Sequence, residues 1–378
     1  NVLNNGSGYD IVNPPKIGVT DDNGSSASVH GNFVGKIENI IITSQGFDYA
    51  DTPVVTISGG NGTEATAEAR MRGLTYEVSF TDFEVNLGGD FIDIPNGHRF
   101  LDGEEVTYLA TGTPIGIGST AVGFGTDRLT SGTSYFLKKI NDTQFRIHPS
   151  RNDVISGINT VDFLANGNKQ HTFRSKMVRK VIDRIVITNS SDDFSNRKVV
   201  VDGQVWPPIN QKNIYSSFVG INTANNYIYA RNHSFKNGDN VIYSFDGSTI
   251  GGLTANSNYK VTVLDEHRFL LSDAPDESST NYDRKIYKDL TSVGVGTHTF
   301  KYPEIAVTID GLVSAGDTTT IPSYYTATAD PVVKGSLDTV FVRNGGFGYG
   351  VSDMINFLKS PKVNVQTGKE AEIRVIVS

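Results

Sequence analysis

The chain has 378 residues, a formal net charge of −8 and no cysteine. An acidic balance, 33 Lys and Arg against 41 Asp and Glu, excludes a dedicated nucleic-acid binder with a basic face. The missing cysteines exclude disulfides and thiol chemistry, and no run of about 20 apolar residues is present to span a membrane as a helix. Glycine is frequent at 39 residues, and 20 Phe and 16 Tyr stand against one Trp, which suits strands joined by tight turns.

The first motif in the chain is "GSGY" at 6–9, followed by "NPPKIGV". A fuller version follows: "GKIENIIITSQGFDY" at 35–49, then "TPVVTISGG" at 52–60 and "TEATAEARM" at 63–71. Apolar residues alternate along these pieces, so the pattern reads as a strand, a Gly-Phe/Tyr turn, a second strand and an Ala/Thr-rich third. We call this unit module B.

A different unit, module A, opens with "HRFLDGEEVTY" at 98–108. It continues through "YFLKKINDTQFRI" at 135–147, a predicted hairpin around a polar turn, and closes on "QHTF" at 170–173. A degraded module B, "KVIDRIVITNSSDDF", occupies 180–194. It keeps Ile182, Ile185 and Ile187 but has Ser191 and Phe194 where the Gly and Tyr stand.

Module A then returns as "HSFKNGDNVIY" at 233–243. His98, Gly103, Val106 and Tyr108 recur 135 residues later as His233, Gly238, Val241 and Tyr243. The offset drops to 124 at Tyr135/Tyr259 and Phe145/Phe269, then settles at 127 for His171/His298 and Phe173/Phe300. The gaps fall in Gly/Ser/Thr stretches, which surface loops tolerate. The strand "YPEIAVTIDG" at 302–311 leads to a last module B, "GSLDTVFVRNGGFGY" at 335–349. It repeats 35–49 at an offset of 300 with no gap, so that Gly46 and Tyr49 match Gly346 and Tyr349.

The order B, B, A, degraded B, A, B suggests that A units are inserted between B strands. The predicted fold is all-β: tandem, interleaved small β-sandwich or barrel-like modules of two repeat types. The expected divisions are module B copies at 1–75, the first module A at 76–175, degraded module B with a connector at 176–226, the second module A at 227–301, and a module B copy at 302–378. The glycines of the G-x-x-Y turns are expected at positive φ, or where a tyrosine folds over the turn.

The residue types that could carry chemistry have a plainer reading. His98, His171, His233 and His298 sit at matched module A positions, one at the start and one at the end of each copy. A metal pair would need a further ligand at repeated spacing, and none is found, so these histidines read as structural. "DDNG" at 21–24 lacks the spacing of a calcium loop. "GGFGYG" at 345–350 lacks the strand-to-helix context of a dinucleotide site. The basic run "RSKMVRK" at 174–180 reads as a solvated strand. Trp206, in "VWPPIN", suits a sugar-binding surface or an inter-module anchor. No catalytic, cofactor or metal residue is assigned, and no enzyme activity is expected.

The two alternating patterns, H-x-F-x-x-G-x-x-V-x-Y with a closing T-H-x-F, and I-x-x-I-x-I with G-x-x-Y and P-x-V, resemble the repeat-rich virion structural proteins of contractile-tailed, T4-like bacteriophages, including those of marine cyanobacteria. That resemblance implies a tail, baseplate or fibre part located in the virion. Its expected partners are copies of itself and other virion proteins, with no nucleic acid and no membrane. A chain without cysteine fits assembly in a reducing bacterial cytoplasm. The alternative is a carbohydrate- or receptor-binding adhesin module, on a phage fibre or bacterial surface, with a host glycan as ligand.

Overall fold

The computed structural model describes residues 2–20, 25–118, 127–207, 219–273, 287–313, 325–347, 354–358 and 372–373. The fold is all-β, with one short α-helix among the described residues. "DDNG" at 21–24 and Tyr349 lie outside them.

Six strands precede the first module A: β1 (Val2–Asn4), β2 (Tyr9–Asp10), β3 (Lys16–Thr20), β4 (Ser25–Gln45), β5 (Val54–Ser58) and β6 (Thr66–Phe80). Then come β7 (Val85–Asn86), β8 (Phe91–Asp93), β9 (Glu104–Ala110), β10 (Gly116–Ile117), β11 (Ser134–Lys139) and β12 (Gln144–His148). Helix α1 (Arg151–Ser156), β13 (Phe163–Ala165) and β14 (His171–Asn189) complete that module. β15 (Phe194–Ser195) pairs with β4 of the scaffold, and the second module is built from β16 (Lys198–Asp202), β17 (Val219–Asn222), β18 (Tyr227–Ala230), β19 (Asn240–Ser248), β20 (Asn258–Asp265), β21 (Arg268–Asp273) and β22 (Val295–Lys301). Last are β23 (Ala306–Asp310), β24 (Ala327–Phe347), β25 (Met354–Leu358) and β26 (Glu372–Ile373).

The two A copies share one strand order. The first runs β6-β14-β9-β11-β12-β8-β7 and the second β16-β22-β19-β20-β21-β18-β17. Inward residues match at the sequence offsets. Val106, Tyr108, Tyr135, Leu137, Phe145, Ile147 and Phe173 are at most 2% exposed, as are Val241, Tyr243, Tyr259, Val261, Phe269, Leu271 and Phe300. Each copy therefore curls one sheet around its own core. Burying such side chains is worth about 1.5–3 kcal/mol apiece. Among the described residues no sheet closes into a barrel. In the second copy a single parallel bridge, Val205 to Ile221, links the segment that follows β16 to β17. That sheet takes in β16 and β17, so it draws on the 176–226 stretch and begins well before residue 227.

The B copies form a scaffold of long antiparallel ribbons. The Ala/Thr-rich strand of one copy does not stop before the next copy's first strand; the two are continuous, giving the 21-residue strands β4 and β24. These pair with each other, and Gly35 faces its repeat counterpart Gly335 at the centre. A Cβ on Gly35 would lie 2.6 Å from the Gly335 Cα, and the reverse contact is also 2.6 Å, so this crossing requires two glycines. β6 and β14 form a second ribbon of the same kind, in which Gly73 faces Lys180.

One bulge recurs in both ribbons. Ile42 and Ser44 face Ala329 and Thr328, skipping Thr43; Ile187 and Asn189 face Ala67 and Thr66, skipping Thr188. The skipped threonines hydrogen-bond the facing ones, Thr43 to Thr328 at 2.7 Å and Thr188 to Thr66 at 2.8 Å. β1 and β26 repeat this register, with Val2 on Ile373 and Asn4 on Glu372.

Module A is inserted by a change of buried face within one ribbon. On β6, Ala67, Ala69 and Met71 pack into the scaffold core with Ile182, Ile185 and Ile187. Beyond Arg72 and Gly73 the buried set shifts by one residue, to Leu74, Tyr76, Val78 and Phe80. Successive strand residues point to opposite faces, so the ribbon is covered on one face by the scaffold and on the other by module A.

Candidate functional site

The titratable and aromatic side chains concentrate in three places: inside each module A, at the junctions of modules with scaffold, and on one surface of the second copy.

Inside each copy the matched histidines are buried. His171 Nδ1 lies 2.7 Å from the Tyr108 hydroxyl and His298 Nδ1 2.9 Å from that of Tyr243. Each tyrosine oxygen accepts a backbone N–H seven residues on, from Ile115 at 3.2 Å and Ile250 at 2.9 Å. That leaves the hydroxyl hydrogen to donate to the imidazole. His98 and His233 stand edge-on to Phe145 and Phe269, with ring centroids 5.0 and 5.1 Å apart. Burial lowers the pKa of all four histidines, which holds the rings neutral. Burial also pushes the Tyr108 hydroxyl up to about 12. Within one copy the two histidines keep separate neighbours: His98 packs on Phe100 and Phe145, His171 on Phe80 and Tyr108. Among the described residues no three His, Asp or Glu side chains gather as metal ligands.

The junctions rest on two arginines. Arg179, fully buried on β14, pairs with Asp48 at 2.8 Å and with Glu104. Asp48 belongs to the G-F-D-Y turn of module B and Glu104 opens β9 of module A, so the guanidinium ties the two unit types together. Burial raises the Glu104 carboxyl, opposed by the Leu101 N–H, the Ser175 hydroxyl and Arg179. In the second copy Asp239 takes the place of Glu104, accepting the Lys236 N–H at 2.6 Å as Glu104 accepts that of Leu101 at 2.7 Å. Its further partner is the Tyr302 hydroxyl, at the position of Ser175. Arg197 lies over the Tyr302 ring and bonds the Ser234 carbonyl and the Asp338 carboxylate of β24. Phe341, also on β24, is part of the second module's core.

The Gly-x-x-Tyr turns dock the scaffold on itself. Gly46 has φ +62°, and the Tyr49 ring folds over it, with the Tyr49 hydroxyl accepting the Ala327 N–H at 2.8 Å. Gly346 has φ +65° in its copy of the turn. The aromatic that ends each turn reaches a ribbon centre: Tyr9 pairs with Gly335, Phe194 pairs with Gly35, and the Tyr49 N–H bonds the Lys180 carbonyl at 3.1 Å. All three aromatics are at most 5% exposed.

The basic run at 174–180 is engaged rather than free. Arg174 pairs with Glu77 at 2.8 Å and Lys176 with Glu105 at 2.6 Å, beside the buried Arg179. Trp206 is half-buried and stacks on Tyr229, with centroids 3.8 Å apart and planes 10° apart. His267 and Tyr227 extend this strip, with Arg268 over the Tyr227 ring. The first copy carries Asp93 and Thr143 where the second has Tyr229 and His267.

Repeat reading locates the histidines and the turn glycines but misses Arg179 and Arg197. The available signal is the acid kept at Glu104 and Asp239, which in a buried strand start demands a partner. No protein-family model, curated protein or solved structure matches this chain.

Proposed function

We propose that this chain is a non-enzymatic structural component of a bacteriophage virion, a tail, baseplate or fibre part that acts through protein–protein assembly. One observation carries this reading: two modules of identical strand order are mounted on a ribbon scaffold assembled from like strands of repeated units. Such an arrangement multiplies surface and length, which suits a scaffold. Repeated histidines, tyrosines and carboxylates are consumed in packing and inter-module bonds, the investment of a part that must hold shape. The test is mass spectrometry of purified virions with cryo-electron microscopy of the particle. Absence of the chain from particles made by a host that expresses it would overturn the proposal.

A second reading has its own observation. The Trp206–Tyr229 strip is confined to the second module A, where the repeat otherwise keeps polar residues. Stacked aromatics beside His, Arg and Asp side chains suit a pyranose face and its hydroxyls. Glycan-array binding that is lost in Trp206→Ala would favour an adhesin.

A further inference from the structure

Among the described residues the scaffold has four ribbon-centre positions of one kind, and three are filled. At Gly335 the incoming Tyr9 continues along β24, and the Ile11 N–H bonds the Val333 carbonyl at 3.0 Å. At Gly35 the incoming Phe194 continues along β4, and the Asn196 N–H bonds the Phe33 carbonyl at 3.4 Å. At Lys180, the repeat counterpart of Gly35, Tyr49 fills the place. The fourth is Gly73, which faces Lys180 as Gly335 faces Gly35.

Gly73 has no such partner among the described residues. β14 takes one edge of β6 along its whole length, while β5 takes the other only at Ala67 and Glu68. From Ala69 onward that second edge meets no described strand. A cavity of about 350 Å³ opens there, lined by Thr52, Pro53, Ala69, Arg70 and Met71 among others. Met71 stands two residues before Gly73, as Val333 stands before Gly335 and Phe33 before Gly35. The cavity thus lies where Ile11 and Asn196 run in the filled positions. A strand edge with no described partner at Met71–Gly73 offers its N–H and C=O groups to an added strand.

We infer that the β6 edge at Met71–Gly73 is the docking site for a Gly-x-x-Tyr turn donated by a second copy of this chain, the turn at Gly346–Tyr349. Tyr9, Tyr49 and Phe194 are already committed within the chain. The fourth turn of the same chain cannot reach. It follows the far end of β24, since Phe347 pairs with Ser25, whereas the Gln45 end of β4 leads into Tyr49 beside Lys180. A strand of this length separates the two ends by on the order of 60 Å, and the three residues from Gly346 to Tyr349 span only about 10 Å. A second copy is free of that constraint. Its chemistry also fits: Tyr349 would face Gly73, and Val351, two residues on, supplies the N–H for the Met71 carbonyl and an apolar side chain for the cavity, as the 1%-exposed Ile11 does in its place. The contact joins different surfaces of the two copies, so it propagates head to tail and builds a ring or a filament.

This inference deepens the assembly proposal by naming its partner, and it is tested apart from any particle. The chain contains no cysteine, so introduced thiols report without background. Arg72→Cys and Gly350→Cys, made in separate full-length chains, place thiols at directly opposed strand positions, where Cβ atoms approach to roughly 5 Å. Mixing the two under mild oxidation is expected to give a covalent dimer, and mixing Gly350→Cys with Glu64→Cys is not. A second measurement needs no variant protein: a fluorescent peptide of residues 343–353 should bind the unmodified chain, and its Tyr349→Ala form about tenfold more weakly. Failure of both the cross-link and the peptide would overturn the inference. So would a double-cysteine chain that closes on itself as a monomer at high dilution, because the donor would then be the same chain. Either failure leaves the virion proposal standing or falling on the particle experiment alone.

Discussion

The Tyr108 hydroxyl sits 2.7 Å from His171 Nδ1, inside a module where both residues are no more than 0% exposed. The pair recurs at Tyr243 and His298, at 2.9 Å, and joins β9 or β19 to the last strand of its module. Tyr108→Phe would strip partners from the buried imidazole and from the Ile115 N–H while leaving packing almost unchanged. The expected loss is about 1–3 kcal/mol. Tyr243→Phe should cost a similar amount, and the double variant close to the sum, because the two sites lie in separate cores. Urea denaturation of the three variants checks this. Effects near zero would show that the hydroxyls are not needed.

The histidines also set a direction for pH dependence. Burial lowers His98, His171, His233 and His298 below the ordinary 6.5 in the folded chain. A depressed pKa means the unfolded chain binds more protons than the folded one as pH falls below 6.5. Stability from these groups is therefore complete above that value and is lost on acidification through the folded-state pKa values. Thermal melts at pH 7.5, 6 and 5 should show a falling midpoint, with the decline reduced in His98→Phe. A midpoint unchanged over that range would contradict the assignment of neutral buried rings.

Arg179 and Arg174 provide a contrast on one strand. Arg179 is fully buried between Asp48 and Glu104, whereas Arg174 is 50% exposed in its pair with Glu77. Arg179→Met leaves two carboxylates without their cation and should cost about 3–5 kcal/mol. Arg174→Met removes a solvated pair worth at most about 1 kcal/mol. Limited proteolysis should show the same order, with early cleavage near residues 81 and 170 only in the Arg179 variant, as the first module detaches from the G-F-D-Y turn. Equal stability for the two variants would remove Arg179 from its role as the tie.

What could be read in the residues follows from which contacts are local. Module A is legible because its core residues, Val106 through Phe173 and Val241 through Phe300, recur in register with gaps only in loops. The ribbons are not, since Gly35 meets Gly335 across 300 residues and nothing near either glycine names its partner. The fusion of an Ala/Thr-rich strand with the next copy's first strand is hidden for the same reason: a repeat boundary in sequence is not a break in the backbone. The insertion point does leave a trace, the shift of apolar positions from Ala67, Ala69 and Met71 to Leu74, Tyr76 and Val78. That slip means two opposed cores only once the strand is known to continue through Arg72 and Gly73. Arg179 is masked by its neighbours, because a lysine- and arginine-rich run reads as solvent-facing, and only the acid at Glu104 hints otherwise.

The turn glycines allow backbone strain to be separated from crowding. Gly46 and Gly157 have nearly equal φ values, +62° and +65°. Their surroundings differ: a Cβ at Gly46 would meet the Tyr49 hydroxyl at 2.3 Å and the Tyr325 carbonyl at 2.8 Å, while Gly157, capping α1, has nothing within 4 Å. Alanine at Gly157 should therefore cost only the left-handed conformation, about 1 kcal/mol. Alanine at Gly46 adds displacement of Tyr49, which would break its bond to the Ala327 N–H and unseat the end of the β4–β24 ribbon. A further loss of about 1–3 kcal/mol is expected. Chemical denaturation of both single variants gives the difference directly. If Gly46→Ala proved no more costly than Gly157→Ala, the tyrosine would be free to move, and the turn would not be what positions it.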